Sequence, residues 1–532
     1  MCTEKNLHAS CNQEDHEKWN RRSFLQTLGL GGVGATLMMN GIPMAFGQET
    51  PLSKALSAAE SGRVLLIIRL QGGNDGLNTI VPIYDYDRYA NFRPTIKHEL
   101  ADLHQLNHEF GVPKYLQPTI EPIWEGGCMK VVHGTGYENQ NLSHFTGTDN
   151  MSRGTDDDLV ETGVYGRYFE STFPDYILNL PEAPPAVQIG GVGDIIFTGT
   201  ESNFAFTIAN TNQLLRIASS GNLYNAADVP NCTKGSQLKF VRGVLNATLK
   251  YSGVIKEASD SQTNIMEFPD SNLGRALAII SKTIKAGMGT SVYMVNLNGF
   301  DTHANQPERH QELLTNITES VMAFYKDLEP SGRDEDVLTM TISEFGRRVS
   351  ENGSNGTDHG TAAPMLLFGP SLNGNGFIGE HPNLADLHRG NLKYTQDFIN
   401  VYGTIMQEWL CIAPDVINES IPRPYTPLDL GFNCSSRVTN HDYLIRERFE
   451  HTPIYDQGRV SIRINNNFEG SYTISLYNVL GQNIGLLFDD VLESGQHDIP
   501  ISEKLPQLGT GVYIYNINKD NKNYSKKIVV GG

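Results

Sequence analysis

The chain has 532 residues, of which 39% are hydrophobic and 19% charged, and its formal net charge is −19. This length exceeds what one hydrophobic core supports, so two or three folded units are expected. The acidic charge argues against nucleic acids and anionic lipid surfaces as partners, because both would be repelled. An anionic substrate would need local cations, which a bound divalent metal supplies whatever the net charge.

The first 47 residues are predicted to be an export signal. Arg21–Leu25 (RRSFL) precedes an uncharged stretch rich in Gly and Leu over Thr27–Met39, and Ala45–Gly47 (AFG) is typical of a cleavage site. The paired arginines resemble a twin-arginine signal, and an ordinary secretory signal is the alternative. The stretch is too short and too rich in glycine for a membrane span, and no other segment predicts one.

Residues 48–434 are predicted to form one α/β domain. Apolar strand-like runs alternate here with helix-like stretches, which include Leu273–Ala286, Glu308–Leu328 and Thr395–Leu410. Such alternation is typical of a doubly wound, mainly parallel sheet flanked by helices. Ser171–Lys256 is less regular and rich in Asn, Gly, Pro and Thr, so it is predicted to be an insertion or cap over the sheet edge.

Four of the strand-like runs end in polar loops that carry carboxylates, histidines or hydroxyls. The runs are Val64–Leu70, Met129–His133, Val292–Leu297 and Val337–Ser343. In an open α/β sheet, ligands bind beyond the carboxyl ends of the strands. The pattern therefore predicts one metal site along a single edge of the sheet, and it favours an enzyme.

Three loop residues have both a structural and a chemical interpretation. Asp75, in the turn Asn74-Asp75-Gly76, is either a ligand for a hard cation or part of an ordinary turn. Ser143 precedes a predicted helix over Phe145–Met151, so it is either an N-cap or a nucleophile whose attacked anion rests on the helix amides. His144 is either a proton carrier or a packed histidine.

Two short segments pair a carboxylate with an imidazole. Asp301 and His303 are two residues apart, and Asp358 and His359 are adjacent, each pair in a loop with flanking glycine. Carboxylate oxygen and imidazole nitrogen together suit zinc, manganese and similar ions. Two such pairs, with Asp75 and Ser143 upstream, indicate a metal-dependent site.

Four segments together resemble the signature of the DUF1501 family, which is similar to the alkaline phosphatase and sulfatase superfamily. They are Leu70–Asn78 (LQGGNDGLN), Gly299–His303 (GFDTH), Ser343–Arg348 (SEFGRR) and Gly356–Gly360 (GTDHG). The resemblance runs from about Leu65 to Leu410 and implies an alkaline phosphatase-like fold.

This resemblance also implies roles for the site residues. Ser143 would be the nucleophile. From the chemistry of guanidinium groups, Arg347 or Arg348 is expected to hold equatorial oxygens of the ester, with pairing of one of them to Glu344 or Glu351 as the alternative role. The resemblance implies two divalent cations, zinc, manganese or calcium, about 4 Å apart. A final histidine ligand is expected, for which His381 and His388 are the alternatives. The implied metal ligands are Asp75, Asp301, His303, Asp358 and His359.

The predicted function is an exported, metal-dependent hydrolase of phosphate or related sulfate esters. The substrate would be a small anionic ester or a sulfated or phosphorylated polymer. No C-x-P-x-R or S-x-P-x-R motif is present, so phosphoesters are preferred. The alternative is a non-catalytic secreted or cell-surface binding protein that retains the fold. An acyl hydrolase using Ser143 is a weaker interpretation, because the G-x-S-x-G elbow is missing.

The six cysteines form no C-x-x-C pair, which argues against a zinc ribbon or a thioredoxin-like motif. Cys411 and Cys434 are either a disulfide pair, if the protein is exported, or two separate buried thiols.

Residues 435–457 are predicted to be a linker, and residues 458–532 a small antiparallel β-sandwich. Apolar and polar residues alternate from Arg459 onward, and Val512–Asn518 and Ser525–Val530 form a predicted strand pair. Leu476–Gln482, Thr510–Tyr515 and Lys526–Val530 resemble the C-terminal sorting domain of type IX secretion substrates. This resemblance implies passage through the periplasm to the outer-membrane surface or the medium, with the type IX secretion machinery as partner. A carbohydrate-binding or stability module is the alternative.

Overall fold

The computed structural model describes residues 62–434, with gaps at 174–175, 178 and 210–232, and residues 450–530, with gaps at 457–458, 467–469, 479–481, 494, 506–507 and 520–521. It also describes two short paired strands, Met38–Met39 and Ile42–Pro43. The rest of the predicted export signal, including the paired arginines, lies outside the described residues. The two main ranges belong to two separate compact units.

The first unit is built on a nine-stranded sheet. Ala363–Phe368 is antiparallel to both of its neighbours, and the other strand pairs of the sheet are parallel. This arrangement confirms the predicted α/β class with a mainly parallel sheet. The order across the sheet is Gly376–Ile378, Met129–Gly136, Ala363–Phe368, Val337–Ile342, Val64–Gln71, Val292–Asn298, Ala186–Ile189 and Ala205–Ile208, with Gln396–Asp397 paired to Met129–Gly136.

The four strands predicted to carry the site all run in one direction. Val64–Gln71 pairs in parallel with Val292–Asn298 and with Val337–Ile342. Met129–Gly136 points the same way, since it is separated from Val337–Ile342 by one strand that is antiparallel to both. Their carboxyl ends therefore lie along one edge, as the sequence predicts.

The central strand is covered on both faces. Every residue from Val64 to Leu70 is buried, and successive side chains of a strand point to opposite faces. The helices of this unit are Gly76–Thr79, Tyr86–Phe92, Gln117–Glu125, His144–Arg153, Val164–Thr172, Thr233–Asp260, Asn272–Lys285, Gln306–Leu328, Phe398–Thr404 and Pro414–Ser420.

The predicted helix over Thr395–Leu410 is shorter than expected. Gln396–Asp397 forms a strand, and the Asp397 side chain caps the helix by accepting a hydrogen bond from the Ile399 amide at 3.0 Å. The helix therefore begins at Phe398, and it ends in a π-helical turn over Ile405–Trp409.

Part of the expectation for Ser171–Lys256 is wrong. Ala186–Ile189 and Ala205–Ile208 extend the central sheet, and Thr233–Asp260 contains a long helix. Strands of four residues between Gly- and Asn-rich loops give too short a pattern to distinguish from loop. Far from being an insertion, this region supplies one end of the sheet.

Asp327 connects two helices through a buried carboxylate. Its Oδ2 accepts hydrogen bonds from Lys285 Nζ at 2.7 Å and Ser281 Oγ at 2.5 Å, and its Oδ1 accepts from the Ile265 amide at 2.6 Å. Burial alone would raise its pKa, but these donors lower the pKa of Asp327 to about 2. The charged form is therefore the one that stabilises the fold.

We expect Asp327→Asn to destabilise the first unit by about 3–5 kcal/mol at pH 7, because it leaves Lys285 buried without its counter-charge. A carboxyl group whose pKa is lowered by folding stabilises the folded state at every pH above its ordinary pKa. This stabilisation is lost as the pH falls toward the lowered pKa of about 2. The difference from wild type should therefore shrink between pH 7 and pH 3. Urea unfolding followed by tryptophan fluorescence measures it, because Trp124 and Trp409 lie in this unit. The exposed Asp415→Asn is the control, and an equal difference at both pH values would contradict the expectation.

A disulfide joins Cys411 to Cys434 across 23 residues, at the end of the described part of the first unit. Close by, the Trp409 indole donates a hydrogen bond to the Val64 carbonyl at 3.0 Å, and Arg63 Nη1 donates to the Trp409 carbonyl at 3.1 Å. These hydrogen bonds connect the π-helical turn Ile405–Trp409 to the start of the central strand.

The second unit consists of two antiparallel sheets that share one core. Val460, Ile462 and Ile464 of one sheet pack with Tyr472 and Ile474 of the other, as their alternation predicts. Residues 450–456 form a strand within the range predicted as linker, and residues 435–449 of that range lie outside the described residues. The strands are Glu450–Asp456, Arg459–Asn466 and Gly495–Pro500 in one sheet, and Asn483–Leu492, Gly470–Asn478, Gly511–Lys519 and Lys522–Val530 in the other.

Among the helices of the described residues, none combines the length and the apolar character that crossing a membrane requires.

Candidate metal centre

Three segments from distant parts of the sequence meet at the carboxyl edge of the central sheet. Asp301 and His303 follow the strand Val292–Asn298, and His359 lies in a two-residue strand paired with Gly346–Arg347. His144 is the first residue of the helix His144–Arg153. His144, Asp301 and His359 offer ligand atoms that all lie within 4.8 Å of one another.

His303, His359 and Asp301 form a tighter triangle. The two Nε2 atoms are 2.9 Å apart, and Asp301 Oδ1 lies 3.1 Å from His303 Nε2 and 3.0 Å from His359 Nε2. On the other oxygen of the same carboxylate, Oδ2 lies 3.4 Å from His144 Nε2. Tetrahedral zinc with bonds of about 2.0–2.1 Å places its ligands about 3.3 Å apart, so the triangle is close to the size that a metal ion requires.

The hydrogen bonds of the three imidazoles decide which nitrogen is free. Nδ1 of His359 lies 2.8 Å from the Leu142 carbonyl, and Nδ1 of His303 lies 3.1 Å from Asp358 Oδ1. Nδ1 of His144 lies 2.9 Å from Glu344 Oε1. Because these oxygens accept hydrogen bonds, we assign a proton to each Nδ1, which leaves each Nε2 to offer its lone pair to a cation.

Lone pairs this close to one another and to a carboxylate oxygen repel unless a cation lies between them. The donor set of imidazole nitrogen and carboxylate oxygen fits zinc or a similar divalent ion. Asp301, His303 and His359 would hold the ion, and His144 faces the same carboxylate from the other side. Asp358 supports His303 from behind, a position that in metal sites fixes the ring of the ligand.

Arg347 holds Asp301 in place. Its side chain is fully buried, and it donates to Asp301 Oδ1 at 2.7 Å, to the Gly73 carbonyl at 2.9 Å and to the Thr357 carbonyl at 2.8 Å. Burial would raise the pKa of Asp301, but the hydrogen bond from the Arg347 guanidinium and its positive charge lower that pKa to about 2. Arg347 thus binds the site loops together, and Asp301 stays ionised.

Gly72 permits a close approach of backbone segments below this loop. Its φ is +123°, and a Cβ atom there would lie 2.1 Å from the amide nitrogen of Asp301. Its own amide donates to Glu344 Oε1 at 2.8 Å, the oxygen that also bonds His144. Only glycine fits this conformation and this spacing, so the GGND segment supports the site through its backbone.

The structure places Asp75 in a different environment. The residue is 1% exposed, and its Oδ2 accepts hydrogen bonds from Arg93 Nη1 at 2.6 Å and from Gln306 Nε2. Burial would raise the pKa of Asp75, but Arg93 holds it below its ordinary value. The charge of Asp75 is therefore already balanced by a buried guanidinium.

Ser143 occupies the N-cap position of the helix His144–Arg153, as predicted, but within the described helix start its hydroxyl caps no amide. The side chain is exposed and directly precedes His144. The Ser143 hydroxyl is therefore not engaged in capping the helix and is available to react.

Neither alternative for the final histidine joins the triangle. His381 Nδ1 lies 3.0 Å from the Tyr84 hydroxyl, and its ring packs edge-on against His133 at 5.1 Å between centroids. His388 is exposed in a short turn with Asn391. The histidine that does lie near the carboxylate is His144, at 3.4 Å from Asp301 Oδ2, for which the sequence leaves a proton carrier and a packed histidine as alternatives.

The sequence predicts no role for Arg93, and it predicts an arginine partner for Glu344, whose Oε1 instead bonds His144 and the Gly72 amide. Glu344 is 4% exposed and lies two residues after the end of the strand Val337–Ile342, so its place in the SEFGRR segment is a usable signal. Arg93 lies in an ordinary polar stretch after the helix Tyr86–Phe92, and nothing in its local sequence indicates burial.

Comparison with solved structures finds chains that are similar over most of their length at very low sequence identity. A protein in the alkaline phosphatase superfamily from Vibrio parahaemolyticus is 8% identical, with 85% of this chain and 88% of that chain covered and a TM-score of 0.29. The lipoteichoic acid synthase LtaP from Listeria monocytogenes is 9% identical, with 81% and 91% covered and a TM-score of 0.30. The PsFucS1 sulfatase from Pseudoalteromonas sp. is 11% identical, with 86% and 88% covered and a TM-score of 0.30.

No curated protein matches the sequence of the chain. Two family models match it. Residues 260–403 match the family described as a protein of unknown function, DUF1501, and this segment contains Asp301, His303, Asp358 and His359. Residues 454–531 match a secretion system C-terminal sorting domain, which indicates an exported protein. The chain thus carries a DUF1501 segment and, after it, a secretion-system sorting domain.

Proposed function

We propose that this protein is an exported, metal-dependent hydrolase of phosphate or related sulfate esters. The observation that carries the proposal is the convergence of the Nε2 atoms of His303 and His359 on Asp301 Oδ1, within 3.1 Å of one another. A divalent cation bound there would polarise the ester and favour the deprotonated form of a nearby hydroxyl. The resemblance to two-metal enzymes extends the proposal to a second ion beside His144.

The residues around the cluster have separate roles in this proposal. Arg347 and Asp358 position the ligands, and Ser143 is the nucleophile at the start of a helix whose amides face an attacked anion. Arg348 is exposed and its amide donates to the Asp358 carbonyl at 3.0 Å. Since Arg347 is fully buried, Arg348 is the better placed of the two arginines to hold an anionic substrate.

The test of this function is turnover of simple esters by the purified protein. It would be stripped with EDTA, reloaded with zinc, manganese or calcium, and assayed with p-nitrophenyl phosphate, bis(p-nitrophenyl) phosphate and p-nitrophenyl sulfate. We expect metal-dependent release of p-nitrophenol from at least one phosphoester. Bound metal without turnover of any of the three would overturn the hydrolase proposal.

Ser143→Ala is expected to lower kcat for the best ester by at least about a thousandfold, because it removes the attacking oxygen. Metal content, measured by plasma mass spectrometry, should not change. Thr146→Ala, an exposed hydroxyl on the same helix, is the matched control and should keep wild-type activity. An active Ser143→Ala variant would leave Ser143 as an N-terminal residue of the helix without a chemical role.

A second candidate is supported by the environment of Asp75. In the superfamily that the signature resembles, this position holds a metal ligand, yet here Arg93 neutralises it inside the protein. A non-catalytic binding protein of the cell surface that retains one metal would show this arrangement. It predicts about one equivalent of metal and no ester turnover.

The sorting domain completes the proposal for location. We propose that the chain is passed by the type IX secretion machinery through the periplasm to the outer-membrane surface or the medium. A truncation that ends before residue 454 should then accumulate in the periplasm rather than outside the cell.

A further inference from the structure

A cleft of about 360 Å³ lies beside the carboxyl end of the strand Val292–Asn298. The strand contributes Asn296, Leu297 and Asn298 to its wall. The helix Gln306–Leu328 contributes Arg309, Glu312, Leu313 and Asn316, which are spaced three or four residues apart and so share one helix face. The volume falls within the range of sites for small ligands.

We propose that this cleft binds the neutral, hydroxyl-rich part of a carbohydrate. An amide side chain offers both a donor and an acceptor, which is what sugar hydroxyls require. Asn298 is exposed at the rim of the cleft, whereas the Nδ2 of Asn296 is already committed to the Gly190 carbonyl at 3.0 Å. Asn316 Oδ1 accepts from Ser271 Oγ at 2.6 Å, so its carbonyl is fixed and its amide hydrogens are the groups left for a ligand.

The charge of the cleft selects against further sulfate or phosphate groups on the ligand. Arg309 Nη1 and Glu312 Oε2 form an ion pair at 3.0 Å, so the cleft has no net charge from this pair. The adjoining open groove is lined by Glu308 and Glu319, which make it acidic, and by Asp270, which forms an ion pair with Arg275. A polymer with a sulfate or phosphate group at every repeat would be repelled there, whereas a neutral sugar chain would not.

The cleft is adjacent to the metal centre. Arg309 packs against Gly299, where a Cβ atom would lie 2.3 Å from its Nη2. Gly299 is two residues before Asp301, and two peptide units span at most about 7.6 Å. If the proposed function holds, the ester at the metal centre is carried by an otherwise neutral glycan that this cleft binds. That consequence rests on the proposed function.

The experiment measures binding rather than turnover, so that the two proposals can fail separately. Saturation-transfer NMR would be recorded on the purified protein with neutral hexasaccharides from β-1,3-glucan, β-1,4-glucan, α-1,6-mannan and agarose, and with a heparin hexasaccharide. Asn298→Trp would fill the cleft from its exposed rim, and Asn298→Ala would remove one amide. Asn418→Ala, an exposed asparagine on the helix Pro414–Ser420, is the matched control.

We expect at least one neutral hexasaccharide to bind, and the heparin fragment to bind more weakly or not at all. Asn298→Trp should weaken binding by at least tenfold and Asn298→Ala by roughly threefold to tenfold, with Asn418→Ala unchanged. Absence of binding by every neutral sugar, or binding that Asn298→Trp leaves intact, would overturn the inference even if esters are hydrolysed. Sugar binding without ester turnover would support a sugar site in this cleft and would contradict the hydrolase proposal.

Discussion

His359→Ala is expected to release most of the metal from the cluster while the fold is retained. His359 Nε2 is the central atom of the site, at 2.9 Å from His303 Nε2 and 3.0 Å from Asp301 Oδ1. Loss of an outer partner alone costs about 10–100-fold in metal affinity, so loss of a ligand should cost more than about a hundredfold. Plasma mass spectrometry after dialysis measures the remaining metal, and circular dichroism measures the fold.

His388→Ala is the matched control, because His388 is an exposed histidine in the same unit and an alternative for the final ligand. Its metal content should equal that of wild type. Wild-type occupancy in His359→Ala would show that the three acceptor atoms are held together by a shared proton rather than by a metal. Loss of metal from His388→Ala, with metal retained in His359→Ala, would identify His388 as the ligand and contradict the assignment of His359.

Arg93→Met is expected to destabilise the first unit by about 3–5 kcal/mol, since it leaves the Asp75 carboxylate buried without a counter-charge. The guanidinium is 0% exposed and also donates to Asn78 Oδ1 at 2.7 Å and to the Val349 carbonyl at 2.8 Å. The measurement is the urea transition followed by tryptophan fluorescence. A shift equivalent to less than about 1 kcal/mol would contradict the assignment of Asp75 to a buried ion pair.

Two variants separate charge from packing in this experiment. Arg88→Met removes an exposed arginine that pairs with Asp85, and it should change stability by less than about 1 kcal/mol. The double variant Asp75→Asn with Arg93→Met removes both charges. It should be more stable than Arg93→Met alone, because no uncompensated charge remains inside.

The sequence predicts the sheet well because its signals are local. Val64–Gln71, Val292–Asn298 and Val337–Ile342 are largely apolar runs, each followed by glycine or a polar residue, and the helices between them show clear apolar periodicity. The short strands Ala186–Ile189 and Ala205–Ile208 were missed, since four residues in a Gly- and Asn-rich region carry too little pattern.

The site was predictable as a set of residues but not as a geometry. Asp301, His303 and His359 are recognisable because each stands in a short glycine-flanked motif. The pairing of His144 with Glu344 joins residues 200 positions apart, and that of Asp75 with Arg93 depends on where a polar stretch is buried. Such contacts depend on tertiary packing, which a local sequence pattern does not predict.

The disulfide between Cys411 and Cys434 determines how tension would travel along the chain. A pull on residues beyond Cys434 passes through the two sulfur atoms to Cys411 and bypasses residues 412–433. From there the load reaches Trp409, whose backbone carbonyl and indole are tied to Arg63 and to the first residue of the central strand, Val64. In a chain pulled from its C-terminal end, the load would thus reach the sheet at the start of its central strand.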